Sequence, residues 1–402
     1  MHASEISTPD RGTVNSGNRK ELMTDFTKML HQKITLQGFM PLSQFMREAL
    51  MHPEHGYYSA KKKVIGGQSA DFVTAAEVPF FGDIIALWVI DCWQKMGTPR
   101  NFNVCELGPG RGTLMKTILQ QIKFIQPQLL NFLTVHLVEL GPARQEEQKE
   151  NLKDFQTATG KIRWWMDVES LPVQNTPTVI LANEWFDALP VTQFRYSDRG
   201  WLETCVDVDE DPRNEAHFKL MLAPGASFSN YMLPDEIRDR QDKQVEDQVE
   251  LNTHGMQAME KLAKKLTDAG KGALLVIDYG KDEHMADTLR GIRGHKFLNP
   301  LLSPGDVDLS AWVSFRQLRW TLDRLPLAVE KLQHHGPITQ SEFLAHNGID
   351  ARLVLAIKDM ETRQAMKYLS VFRRLMDPDE MGTSYKVFAV QTKNIPPVSP
   401  WF

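Results

Sequence analysis

The sequence predicts an α/β fold with a doubly wound, mostly parallel sheet. Three observations predict it. Short apolar runs alternate with amphipathic ones from Phe102 onward. One run, Val104-Cys105-Glu106-Leu107, passes directly into Gly108-Pro109-Gly110-Arg111-Gly112-Thr113, with a glycine at every second position before a helix. Another ends in Asn183-Glu184-Trp185-Phe186-Asp187-Ala188-Leu189-Pro190, a polar and aromatic block at a strand mouth. Strands alternating with helices pack as parallel sheets covered on both faces, and ligands lie outside the C-terminal strand ends.

At 402 residues the chain exceeds what one ordinary core holds, so one large domain with an insertion is expected. Residues 1–20 are polar and rich in Ser, Thr, Asn and Gly, the composition of a disordered segment. Residues 21–100 read as an N-terminal helical lid. Leu22, Phe26, Met29 and Leu30 share one face, and Leu42, Phe45, Met46 and Leu50 the next. Pro41 suits the first turn of the second helix and Pro53 follows its end; an apolar helix then runs from about Phe80 to Trp93.

Residues 101–190 hold the first half of the core. Strands are expected at Phe102–Leu107, Thr134–Leu140, Ile162–Met166 and Thr178–Ala182, with helices at Thr113–Ile122 and Ala143–Phe155. Residues 191–256 read as an inserted, β-rich subdomain over the active face. Val191–Tyr196, Trp201–Val208 and His217–Leu222 look like antiparallel strands, with turn signals at Asp198-Arg199-Gly200 and Asp211-Pro212. Residues 257–392 complete the core with a helix at Gln257–Ala269 and a fifth strand at Gly272–Asp278. A loop-rich stretch to Asp308, further helices and a last strand near Tyr385–Gln391 follow. Residues 393–402, with Ile395-Pro396-Pro397, read as a loose tail.

The composition is that of a globular protein, 42% hydrophobic and 24% charged, and a net charge of −5 gives no global field for nucleic acid. Lys61-Lys62-Lys63 is a compact basic run of the kind found in solvated loops. Cys92, Cys105 and Cys205 have neither metal-ligand nor redox spacing, and no metal site is expected. No span is long and apolar enough to cross a bilayer. The leader contains Glu5 and Asp10, a poor match to an acid-poor transit peptide.

The glycine spacing selects the cofactor. A dinucleotide loop reads G-x-G-x-x-G, and Thr113 stands where its third glycine belongs. The spacing G-x-G-x-G with Glu106 before it suits a cationic, amine-bearing ligand, S-adenosylmethionine, whose ammonium group needs a carboxylate. Glu106, Gly108, Gly110 and Gly112 are the candidates to hold it. Glu139, ending the second strand, is placed to accept both ribose hydroxyls, and Asp167, after the third, the adenine amine. A tight strand-to-helix turn is the bland alternative for the glycines, and a capping or turn acid for Glu139 and Asp167.

Asn183, Glu184 and Asp187 stand where a methyl acceptor belongs, and Trp185 and Phe186 can wall it. Carboxylates orient a guanidinium through paired hydrogen bonds, and an indole face attracts a cation. Glu184, Asp187 and Glu77 are the candidate catalytic acids; Asn183, Trp185, Asp71 and Asp278 are the candidate substrate-binding residues. An N-cap cluster is the alternative for the Asn183–Pro190 block.

These blocks carry a resemblance. His52-Pro53-Glu54-His55-Gly56-Tyr57-Tyr58, Asp71-Phe72-Val73-Thr74, the glycine loop, Val135–Glu139, Asn183–Val191, Asp278-Tyr279-Gly280, Asp287–Gly291 and Gly336–Gln340 run in family order over about residues 25–392. The chain resembles the MidA-like family of Rossmann-like class I methyltransferases, which holds mitochondrial complex I assembly factors and proteobacterial relatives. The resemblance implies symmetric dimethylation of a protein arginine ω-nitrogen, with the 49-kDa-type core subunit of complex I as substrate. It implies the mitochondrial matrix for a eukaryotic protein and the cytoplasm for a bacterial one. A methyltransferase-fold scaffold with weak or lost turnover is the rival reading, and a homodimer stays open. Three positions depart from the family pattern: Ala70 for Gly, Ala76 for Pro, and Ser314 for Asp.

Overall fold

The structure, a computed structural model, describes residues 23–60, 80–159, 161–211 and 213–401. The expectations for residues 1–20, Lys61–Lys63, Ala70, Asp71, Ala76 and Glu77 lie outside the described residues.

Among the described residues the central sheet has eight strands. β2 (Phe102–Leu107), β3 (Leu133–Val138), β4 (Ile162–Trp165), β5 (Thr178–Asn183) and β10 (Gly272–Lys281) run parallel in the order β4-β3-β2-β5-β10. The chain moves outward from β2 to β4, then crosses back to β5. The switch point therefore lies between β2 and β5, at the glycine loop. β16 (Tyr385–Thr392) joins antiparallel to β10, and β15 (Leu332–Thr339) to β16. β14 (Val313–Ser314) pairs with the end of β10. β15 was not expected from the sequence.

The parallel strands read as unbroken apolar runs because both faces are covered. Val104, Val179, Leu181, Leu275 and Ile277 face one core, shared with α4 (Phe81–Lys95) and α5 (Thr113–Ile125). Cys105, Leu107, Ile180, Leu274 and Val276 face the other, shared with α7 (Thr253–Asp268) and α8 (Phe315–Arg324). This is the period-2 alternation of a strand. Cys105 is plain core, as expected.

A third core joins the N-terminal segment to the insertion. α1 (Asp25–Gln37) and α2 (Leu42–Met51) pack Phe26, Leu30, Phe45 and Met46 against Val206 and Phe218 of β7 (Gly200–Val208) and β8 (Phe218–Leu222). β1 (Met40–Pro41) pairs with β7. The expected lid of residues 21–100 is thus two things. Its first part shares a core with the insertion, whereas α4 packs beneath the main sheet, because ten of its residues are buried.

Two further expectations are corrected. The stretch before Asp308 contains a small sheet of β11 (Arg290–Arg293), β12 (Lys296–Leu298) and β13 (Asp308–Ser310). In the insertion β6 (Thr192–Ser197) lies between β7 and β9 (Gln248–Leu251), and α7 begins at Thr253, four residues earlier than the apolar pattern suggested. The Asn252 side chain caps α7, accepting from Gly255 N–H at 2.6 Å.

The tail is docked. Ile395 and Val398 are buried, Trp401 stacks on His335, and Trp88 Nε1 donates to the Ser399 carbonyl at 3.0 Å. Prolines forbid a regular element there, but apolar burial still fixes the chain. No helix among the described residues is long and apolar enough to cross a membrane. Truncation after Asn394 should lower unfolding stability by about 3 kcal/mol or more, the worth of two buried aliphatic side chains. Urea denaturation checks this; a loose tail would leave the midpoint unchanged.

Candidate active site

The glycine loop is shaped first by backbone geometry. Gly108, Gly110 and Gly112 have φ of 59°, 54° and 80°, the left-handed region that disfavours a side chain. A Cβ on Gly108 would also stand 2.7 Å from Trp185 Cδ1. Gly112 caps the start of α5 and does not line the cavity described below. α6 (Pro142–Asn151) holds the loop from outside: Gln148 Nε2 donates to the Gly110 carbonyl at 2.7 Å and Asn151 Nδ2 to that of Arg111 at 2.8 Å.

A cavity of about 530 Å³ opens at the C-terminal strand edge, within the size range of small-molecule sites. Glu106, Gly108, Gly110, Glu139, Asp167, Asn183, Glu184, Trp185 and Asp187 all line it. Sequence positions far apart meet here because each parallel strand delivers its last residue to one edge.

Glu106 is 3% exposed. Its carboxylate accepts the Met115 N–H in the first turn of α5, but Oε2 has no partner among the described residues. Burial pushes its pKa to about 8, against the smaller opposing pull of that N–H. A bound cation would restore the lost solvation. Glu139 is better served: Gly141 N–H donates to Oε1 at 2.8 Å and Gln148 Nε2 to Oε2 at 3.2 Å. Burial raises its pKa, with these donors and Arg144 pulling the other way. Asp167 accepts from Ser170 N–H and Oγ, both at 2.7 Å, and these donors lower its pKa. Arg144, 4% exposed, pairs with Glu147 and leaves Nη2 without a partner in the cavity wall.

The other wall is acidic. Glu184 sits at a φ of 48°, held by its N–H to the Ile277 carbonyl at 2.8 Å, and accepts from Tyr385 Oη at 3.2 Å. Asp187 accepts from Tyr279 Oη at 2.6 Å and Ser310 Oγ at 2.8 Å through Oδ2; Oδ1 has no partner among the described residues. Burial raises its pKa.

Three expectations change at this wall. Asp278 does not reach the cavity. It is fully buried behind the loop, where Oδ2 accepts the N–H groups of Phe186 at 3.0 Å and Asp187 at 3.3 Å, so it shapes the loop instead of touching a ligand. Phe186 is fully buried in the core between sheet and α7, leaving Trp185 as the aromatic wall. Ser314 lies away from the cavity and caps α8, accepting from Gln317 N–H at 3.3 Å.

Arg47 and Met51 of α2, Tyr58 of α3 (Tyr57–Ala60) and His254 of α7 also line the cavity and were not among the expected site residues. Tyr58 lay in a quoted family block; the others carry no local signal, since only packing brings α2 and α7 to the strand edge.

The fit of S-adenosylmethionine rests on orphaned acceptors. Glu106 Oε2, Asn183 Oδ1 and Asp187 Oδ1 are buried acceptors lining the same cavity with no protein donor among the described residues. An ammonium group completes Glu106, ribose hydroxyls suit Glu139, and Arg144 Nη2 offers a donor to an acceptor on the ligand. Glu106→Gln should weaken S-adenosylmethionine binding roughly tenfold or more, the scale of a hydrogen bond to a charged group. Because the Glu106 pKa is raised from 4.5 to about 8, the folded apo state holds its proton longer than the unfolded state. Its contribution to stability therefore falls as pH rises through that window. Calorimetry should show cofactor affinity rising with pH toward 8 in the wild type and flat in Glu106→Gln.

Comparison with known proteins agrees with this cofactor. Residues 84–332 match the family model of the S-adenosyl-L-methionine-dependent methyltransferases. The mitochondrial protein arginine methyltransferase NDUFAF7 of Danio rerio is 31% identical over 396 residues, covering 94% of this chain and 89% of that protein. That of Homo sapiens is 33% identical over 399 residues, covering 94% and 86%. A crystal structure from Burkholderia thailandensis, bound to S-adenosyl-homocysteine, superposes with a TM-score of 0.77 at 23% identity, covering 98% of this chain and 97% of that one, and so shares the fold. S-adenosylmethionine is the cofactor, and the chain belongs to this family of S-adenosyl-L-methionine-dependent methyltransferases.

Proposed function

We propose that this enzyme transfers methyl groups to an arginine ω-nitrogen of a protein, ending at the symmetric dimethyl product. The observation that carries the reading is the acidic wall opposite the cofactor side: Glu184 and Asp187 beside Trp185, with Asp187 Oδ1 awaiting a donor. A guanidinium supplies planar N–H donors and a positive charge to such a wall. The arginine methyltransferase names of relatives about a third identical over nearly the whole chain support the same reading.

The cofactor supplies an electrophilic methyl group on a sulfonium. The chain supplies position and charge. Glu184 and Asp187 orient the guanidinium so that one nitrogen lies in line with the methyl carbon, and alignment of this kind removes much of the barrier. Transfer would form the N–C bond as the methyl–sulfur bond breaks and the neutral thioether leaves; the nitrogen then gives up a proton, for which a buried carboxylate whose pKa is raised is a fitting acceptor. The desolvated wall keeps the guanidinium charge from being screened by water.

The substrate we propose is the 49-kDa-type core subunit of respiratory complex I, methylated during assembly, in the mitochondrial matrix. The mitochondrial names of the relatives support a mitochondrial location. Glu184→Gln should lower methyl transfer at least 100-fold, on the order of loss of a charge-assisted contact made in the transition state, with cofactor affinity nearly intact. Radiolabelled transfer and calorimetry check both halves. Deleting the gene should remove a dimethylarginine from the core subunit, read by mass spectrometry; an unchanged modification would overturn the substrate.

A further inference from the structure

The segment Asp308–Ala311 grips Asp187 at two points, and Tyr279 of β10 adds a third. Ser310 Oγ donates to Oδ2 at 2.8 Å, Tyr279 Oη donates to the same oxygen at 2.6 Å, and the Ala311 N–H donates to the Asp187 carbonyl at 3.0 Å. The Tyr279 and Ser310 hydroxyls also contact one another. Ser310 is 4% exposed and Asp187 9%, so the contact between them is shielded from solvent. Oδ2 is thus saturated, while Oδ1 is left without a partner among the described residues at the cavity wall. Two residues before Ser310 on the same strand, Asp308 accepts from Tyr58 Oη at 2.9 Å. Tyr58 belongs to the N-terminal segment and lines the same cavity.

We propose that Ser310 and Tyr279 are positioning residues for methyl transfer, which lock one carboxylate oxygen of Asp187 and present the other to a guanidinium N–H. This rests on the reading of Asp187 as an acceptor-side residue. The logic is geometric: a carboxylate free to rotate offers either oxygen in many directions, whereas two buried hydroxyls on Oδ2 leave one direction for Oδ1. Placing the grip on β13, which also holds the N-terminal segment through Tyr58, ties the acceptor carboxylate to the wall that closes over the cavity.

The hydroxyls also stabilise the ionised form of Asp187, working against burial. The titratable groups around it are Asp278 and Tyr279 on β10, Glu184 in its own loop, Asp308 on β13, Tyr58 on α3 and Tyr385 on β16. Loss of either hydroxyl lets burial and these acids raise its pKa further, so the acid limb of the rate profile moves to higher pH.

The test compares Asp187→Asn, Ser310→Ala, Ser310→Thr and Tyr279→Phe in the full-length enzyme, with the complex I core subunit as acceptor. Ser310→Ala and Tyr279→Phe should each lower kcat by roughly ten- to a hundredfold, the size of one hydrogen bond to a charged group. The acid limb should shift upward, and S-adenosyl-homocysteine affinity should hold, reporting an intact fold. Ser310→Thr, which keeps the hydroxyl, should restore most of the rate and the wild-type pH profile. If Asp187→Asn is inactive but Ser310→Ala and Tyr279→Phe keep wild-type kcat and pH profile, the positioning role is wrong. If Asp187→Asn turns over normally, the acceptor-side reading itself fails, and the positioning role falls with it.

Discussion

Carboxylates buried without counter-ions organise this molecule. Among the described residues no ion pair reaches Glu106, Asp187 or Asp278, although each is nine-tenths buried or more. A buried charge without a partner is among the costlier things a fold can hold. Here the cost is shared out to backbone donors. The first turn of α5 serves Glu106, and the N–H groups of Phe186 and Asp187 serve Asp278. Donors of this kind are fixed by secondary structure and carry no full charge. They make both carboxylates tolerable, and at Glu106 they leave one oxygen for a cationic ligand.

The sheet makes that arrangement possible. Five parallel strands end along one edge, so acids spread from Glu106 to Glu184 converge on one cavity. The positive φ values at Gly108, Gly110, Gly112 and Glu184 sit in the two loops that leave β2 and β5, on either side of the switch point. Both loops must turn sharply away from the edge to leave space there. Glu184 accepts a conformation that favours glycine, held by its N–H bond to the Ile277 carbonyl. The roof comes from elsewhere: the N-terminal helices and the insertion share one core and place Arg47, Met51 and Tyr58 over the opening.

Most of the core was legible in the sequence because both-face burial leaves an unbroken apolar run, and β2, β5 and β10 fall within a few residues of where those runs lie. β15 was hidden because its residues are only partly buried and include Gln333, His334 and His335, so no apolar run marks it. The tail looked loose because its prolines mask a burial that is wholly tertiary. At the site, the glycine loop and the Asn183–Pro190 block were legible because each is contiguous. Asp278 was placed on the right strand end and the wrong side of the loop. Sequence fixes where a strand stops; it does not say whether the last side chain meets ligand or the backbone of the next loop.

The sequence by itself determined the donor half of the chemistry. Spacing of three glycines after an acid dictates a left-handed backbone path and a carboxylate at a strand end, both local properties. The tertiary structure decided the acceptor half. Tyr58, Tyr279, Ser310 and Tyr385 reach the acidic residues Asp308, Asp187 and Glu184 from four separate elements, and no spacing along the chain records that convergence. The physical reason is that hydrogen bonds to a buried carboxylate are made by whatever the fold packs against it, and packing is settled only when the layers close.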